Sequence, residues 1–143
     1  MRYVVFETDL FFTDIPDNQL DHWFIGADCA GWFYARLLPY REISQHLDPT
    51  MEDWGWIIAI KTNKIVVDIC VWEYLDQRKN WLLGIGAKKR FLKKIDQVQL
   101  DSAEQTVEAA LNSILQSDNR FSMVRWSDDN PMERPTKALD GTL

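Results

Sequence analysis

The chain has 143 residues with 46% apolar and 27% charged side chains, the size and balance of one globular domain, which excludes a disordered, collagen-like or coiled-coil polypeptide. Sixteen basic against 22 acidic residues give a net charge of −6. That charge repels phosphate backbones and anionic lipids, so nucleic-acid or membrane-surface binding is not expected and a basic partner is.

In chain order, Arg2 to Thr8 is rich in β-branched and aromatic residues and predicts a first strand. An acidic loop follows, with Asp14, Asp17 and Asp21 around Pro16 and with Phe11, Phe12, Trp23 and Phe24 beside them. Asp28 can cap a helix running to about Leu38, stopped by Pro39. Two β-rich runs, Trp54 to Lys61 and Lys64 to Trp72, flank Thr62-Asn63 and predict a hairpin, since Asn tolerates the left-handed backbone that a two-residue turn requires. The second run is apolar on both faces except at Asp68, as in a covered central strand. A buried carboxylate there requires a hydrogen bond or a cationic partner.

Trp81 to Ala87 predicts a further strand, and residues 88–95 a short basic helix. Ser102 with Gln105 suggests a capping box for a second main helix whose stripe is Val107, Ala110, Leu111, Ile114 and Leu115. Phe121 to Trp126 reads as the last strand, and residues 127–143 as a tail of low intrinsic order. The expected fold is α+β: one domain over residues 1–126, a mainly antiparallel sheet of about five strands, and two main helices packed on it.

Catalytic motifs are sparse. His22 and His46 have no metal-ligand spacing, and neither Cys29 nor Cys70 has a cysteine nearby, so no metal or other cofactor is expected. Both thiols lie in apolar stretches, which suits small buried side chains rather than a disulfide. Gly84-Ile85-Gly86-Ala87-Lys88-Lys89 lacks the spacing and the Ser/Thr of a phosphate loop, so its glycines suit close packing in a strand. No long apolar run precedes the first acids, and none approaches the roughly 18 residues of a membrane span, so the expectation is a soluble cytoplasmic protein without a signal peptide.

Charge is unevenly distributed. Residues 1–60 hold 3 basic and 10 acidic side chains, residues 61–100 hold 9 and 4, and residues 101–143 hold 4 and 8. A basic partner is therefore expected at the first 60 residues. Within them, Glu52-Asp53 precedes Trp54-Gly55-Trp56, whose indoles strand alternation would place on one face. Either these Trp residues are core and the acids close the strand entrance, or the acids rim an aromatic anchor. The basic run Lys88-Lys89-Arg90-Phe91-Leu92-Lys93-Lys94 reads as the solvated face of its helix.

Taken together, Gly26-Ala27-Asp28-Cys29-Ala30-Gly31-Trp32-Phe33, Glu52-Asp53-Trp54-Gly55-Trp56, Trp81 and Val124-Arg125-Trp126 resemble small acidic bacterial α+β proteins of immunity type, including those of contact-dependent growth inhibition and polymorphic toxin systems. The resemblance implies a non-catalytic cytoplasmic protein that covers the active site of a cognate toxin domain, such as a basic nuclease. Charge places the contacts at Asp14, Asp17, Asp21, Glu52 and Asp53, with Trp23 or Trp54 as anchors. The rival readings are a small hydrolase using carboxylates in a Trp-lined cleft and a homodimeric adaptor.

Overall fold

A computed structural model describes residues 1–11, 25–74, 79–88 and 95–132. Among them the chain runs β1 (Arg2–Thr8), α1 (Ala27–Leu37), β2 (Ser44–Glu52), β3 (Gly55–Thr62), β4 (Ile65–Glu73), β5 (Asn80–Ala87), α2 (Gln97–Ser117) and β6 (Phe121–Ser127). The strands form one antiparallel sheet in the order β2-β3-β4-β5-β1-β6, with both helices on the same face. The α+β class expected from the sequence is the observed one, with six strands where about five were expected.

The additional strand is β2. Its segment contains Pro49 and is exposed along most of its length, so it shows little of the alternation that marks a strand. An edge accommodates proline because one side of the ladder is open, and register shifts at Gln45/Leu47 and Leu47/Thr50 interrupt the pairing around it.

Two turns and caps lie beside their expected positions. The β3–β4 turn is Asn63-Lys64, with φ of 48° and 65°, and Thr62 pairs with Ile65. A two-residue turn with both central residues at positive φ disfavours β-branched Thr62, which instead enters the ladder and is buried. Helix α2 begins at Gln97, and Ser102 and Gln105 lie inside it. Its capping box is Asp96 with Gln99: the Asp96 carboxylate accepts from the Gln99 N–H at 2.8 Å, and Gln99 Oε1 accepts from the Asp96 N–H at 3.2 Å. Leu100 and Ala103 extend the apolar stripe upstream at the same spacing, which favours the longer helix.

Asp28 is not the cap of α1 either. Gly26 occupies that position with φ 101°, and Asp28 sits in the first turn, its carboxylate accepting from the Cys29 N–H at 2.8 Å. A side chain at residue 26 would be strained by the backbone and would meet Trp56 Cδ1 at 2.9 Å.

The core lies between sheet and helices. Val4, Phe6, Ile58, Ile60, Val67, Ile69, Val71, Leu83 and Ile85 point inward against Cys29, Phe33 and Leu37 of α1 and Val107, Leu111 and Leu115 of α2. Phe6, Phe11, Trp32, Phe33 and Phe121 form an aromatic centre, mostly edge-to-face or tilted. Trp126 Nε1 donates to Asn112 Oδ1 at 3.0 Å, tying β6 to α2. Arg2 crosses the same seam, donating to Glu108 Oε1 at 2.9 Å and to Asp128 Oδ1 at 2.8 Å. Asp128 lies at the start of the segment expected as a tail; residues 133–143 are outside the described residues.

On the opposite face Tyr3, Val5 and Leu82 pack with Trp72 and Tyr74. A Cβ at Gly84 would lie 3.0 Å from both Trp72 Cζ3 and Tyr3 Cε1, so glycine is what lets the two rings approach β5. Asp68 is buried on this face, and Lys88 Nζ reaches its Oδ2 at 2.7 Å. Of the basic stretch expected as a helix, residues 89–94 lie outside the described residues.

Candidate functional site

The β2–β3 turn consists of Asp53 and Trp54, with Glu52 paired to Gly55 across it. Trp54 is therefore a turn residue, and strand alternation does not apply to it. Trp54 and Trp56 consequently diverge: Trp56 packs against the core beside Gly26, whereas Trp54 is 46% exposed and stacks on Trp72, ring centroids 5.1 Å apart. Trp56 thus belongs to the core layer, and Trp54 lies at the surface.

A pocket of about 450 Å³ opens between this turn and the start of α1. Glu52, Asp53 and Trp54 line it, together with Trp56 and Trp81 of the core layer and Glu73 at the end of β4. Three carboxylates and three indoles thus share one concavity. Glu52 and Asp53 are exposed and form no ion pair among the described residues. Trp81 is fully buried, and its Nε1–H has no acceptor among the described residues. The arrangement suits a cation: carboxylates supply charge, and indole faces supply quadrupole attraction.

Glu73 joins the site without having been singled out in the sequence, and Gly26, Trp56 and Trp81, quoted there for other reasons, join it without having been expected as binding residues. The pairing of Glu73 with Trp81 across β4 and β5 is what brings this carboxylate to the pocket. Counting alternate residues from Ile69 and Val71 would have put Glu73 on the helix-covered face at the strand's end. Asp14, Asp17, Asp21 and Trp23 fall outside the described residues, as does His22. The segment that carries them leads directly into Ile25, which lines the pocket.

A second groove, of about 320 Å³, lies on the face opposite the helices and contains His46, Thr50, Glu52, Asp68 and Lys88. Asp68 is thus set apart from the first pocket, engaged with Lys88, while Glu52 borders both. Its hydrogen bond and charge raise the Lys88 pKa. Next to it on β4, half-buried Cys70 has its thiol pushed up to about 11, first by burial and then by the Asp68 charge. Cys29, fully buried, is raised well above the usual thiol range by the same desolvation.

Among the described residues no group of three His, Cys, Asp or Glu side chains is placed to hold a metal ion, and no helix is long and apolar enough to cross a membrane. In comparisons with known proteins, no family model, curated protein or solved structure matches this chain.

Proposed function

We propose that this chain is an immunity-type binding protein of the cytoplasm that neutralises a cognate basic toxin domain by covering its active site, with no catalysis and no cofactor of its own. One observation carries the reading: the exposed turn Glu52-Asp53-Trp54 presents two carboxylates that form no ion pair among the described residues, beside an exposed indole at the rim of a concavity. Unpaired surface carboxylates steer a basic partner, and a tryptophan beside them is a common energetic anchor. Asp14, Asp17, Asp21 and Trp23 complete the proposed surface.

The test is co-expression with the product of the neighbouring reading frame, which the reading expects to be a toxin domain. The native chain is expected to restore growth. Glu52→Lys with Asp53→Lys should slow association about tenfold or more and flatten its salt dependence. Unchanged association kinetics would remove this surface from the reading, and failure to protect against any neighbouring toxin would remove the reading itself.

The hydrolase-like alternative draws on the same pocket, since it joins Glu52 and Asp53 to a tryptophan-lined wall. It predicts a turnover that Glu52→Gln or Asp53→Asn abolishes. Binding is the better-supported reading because both carboxylates stand on an exposed turn, where water competes with general acid–base work.

A further inference from the structure

The walls of the pocket at the β2–β3 turn differ in chemistry, and the difference selects among cations. Glu52 and Asp53 supply carboxylates at the rim, and Trp54, Trp56 and Trp81 supply ring surface. An ammonium group is a compact, strongly hydrated point charge. A guanidinium is planar and weakly hydrated, so it can stack on an indole while its fork of N–H donors pairs with carboxylate oxygens. The chain already uses that stacking elsewhere: the Arg36 guanidinium carbon lies 3.8 Å from the centre of the Trp32 ring.

Trp81 adds an independent observation. Trp81 lines the pocket, it is fully buried, and its Nε1–H has no acceptor among the described residues. Buried donors are nearly always satisfied, so this one is a place that an acceptor from water or from a ligand can complete. A carbonyl oxygen of a polypeptide segment is such an acceptor. Gly26, the N-cap of α1, lines the same pocket, and Asp28 lies in the first turn of that helix.

We infer that this pocket takes an arginine side chain presented by the partner polypeptide, its guanidinium stacked on Trp54 and paired with Glu52 and Asp53, and a main-chain carbonyl of the same segment accepting from Trp81 Nε1–H. The inference rests on the binding reading above only in taking the pocket to face a polypeptide.

The test uses the full chain, labelled so that its indole N–H resonances are resolved, and the capped peptide Gly-Arg-Gly, with lysine and citrulline versions as comparisons. The arginine peptide should shift the Trp54 and Trp81 indole signals saturably and leave Trp126 unmoved. The citrulline peptide, planar but neutral, should bind at least about tenfold more weakly, with lysine between the two. Glu52→Gln with Asp53→Asn should weaken arginine binding by about the same factor while thermal unfolding stays unchanged, and Trp54→Leu should weaken it similarly in a chain that still folds cooperatively. Equal affinity for arginine and citrulline, undiminished binding by the variants, or no saturable shift up to about 10 mM peptide overturns the inference. A stationary Trp81 signal overturns the carbonyl contact. A chain that neutralises its toxin yet ignores the arginine peptide defeats this inference alone; one that binds arginine but protects against nothing defeats the immunity reading alone.

Discussion

Lys88, just beyond the end of β5, closes on Asp68 in the middle of β4 with Nζ 2.7 Å from Oδ2, on the sheet face away from the helices. The two ends differ in exposure: the Asp68 side chain is 12% exposed and that of Lys88 63%. The carboxylate therefore depends on the pair more than the ammonium does. Lys88→Ala should destabilise the fold by about 1–3 kcal/mol, because it leaves a buried acceptor without its partner. Removing the carboxylate as well, with Asp68→Val, should recover most of that loss, since an apolar side chain needs no partner. Urea unfolding of the two single variants and the double variant measures the coupling, and additive losses would show the pair to be energetically idle.

The same pair tunes its neighbour. With the Cys70 thiol at about 11, alkylation of the native protein near pH 8 should be slow. Asp68→Asn removes a negative charge that raises this pKa and should speed alkylation at fixed pH; Lys88→Ala removes a positive charge that lowers it and should slow alkylation further. Rates measured against pH by mass spectrometry check both signs. Cys29 should remain unmodified until the protein unfolds, being fully buried.

Asp68 also shows what a sequence of this kind makes legible. A single carboxylate in an apolar run announces a partner, because burying it alone is prohibitive, but nothing in the run names Lys88, twenty positions away. Strands β1, β3, β4, β5 and β6 stand out because their composition and alternation agree. Strand β2 stays hidden: Pro49 and its polar residues argue against a strand, and only the tertiary edge position overrules them. The α2 start was misplaced because Ser102/Gln105 and Asp96/Gln99 offer the same spacing, and the choice depends on whether Leu100 meets the core. Trp54 and Trp56 separate for a similar reason, since one residue of turn length decides which indole belongs to the ladder. At the candidate site, Glu52, Asp53 and Trp54 were readable as neighbours in sequence, whereas the alternation of β4 gives the face of Glu73 and only its pairing with Trp81 across β4 and β5 sets the two side by side.

Two glycines should answer oppositely to the same substitution. Gly84→Ala places a methyl 3.0 Å from both Trp72 and Tyr3, so it should cost about 1–3 kcal/mol as overpacking forces the rings apart. Gly31→Ala, inside α1 with nothing within 4 Å of the added carbon, should instead stabilise by about 0.5–1 kcal/mol through helix propensity. Thermal and urea unfolding separate the two; a Gly84→Ala variant as stable as the native chain would mean that the rings over β5 can move aside freely.

At the far end of α2, Arg120 donates to the Asp118 carboxylate from its Nε, its Nη2 and its backbone N–H and lowers that carboxyl from 3.8 to about 2. A depressed carboxylate contributes stability above its unfolded value, and that contribution disappears as pH falls through the folded one. Stability from this pair should thus be complete above about pH 4 and lost toward pH 2. The Asp118 carboxyl signal should titrate near 2 in the native chain and return toward 3.8 in Arg120→Ala.

The position of β1 constrains how the chain reaches this state. Its ladder partners are β5 and β6, so Tyr3 pairs with Gly84 on one side and Ser127 on the other. On a ribosome the first strand to emerge is therefore the last to find both neighbours. The β2–β4 meander has its partners close at hand, whereas the Val-Val-Phe run of β1 waits until Phe121–Ser127 has appeared. Long-range closure of this kind slows folding and leaves an adhesive strand uncovered in the interim. Fusions that tether or delay the C-terminal strand should accordingly disturb the opposite end of the polypeptide first.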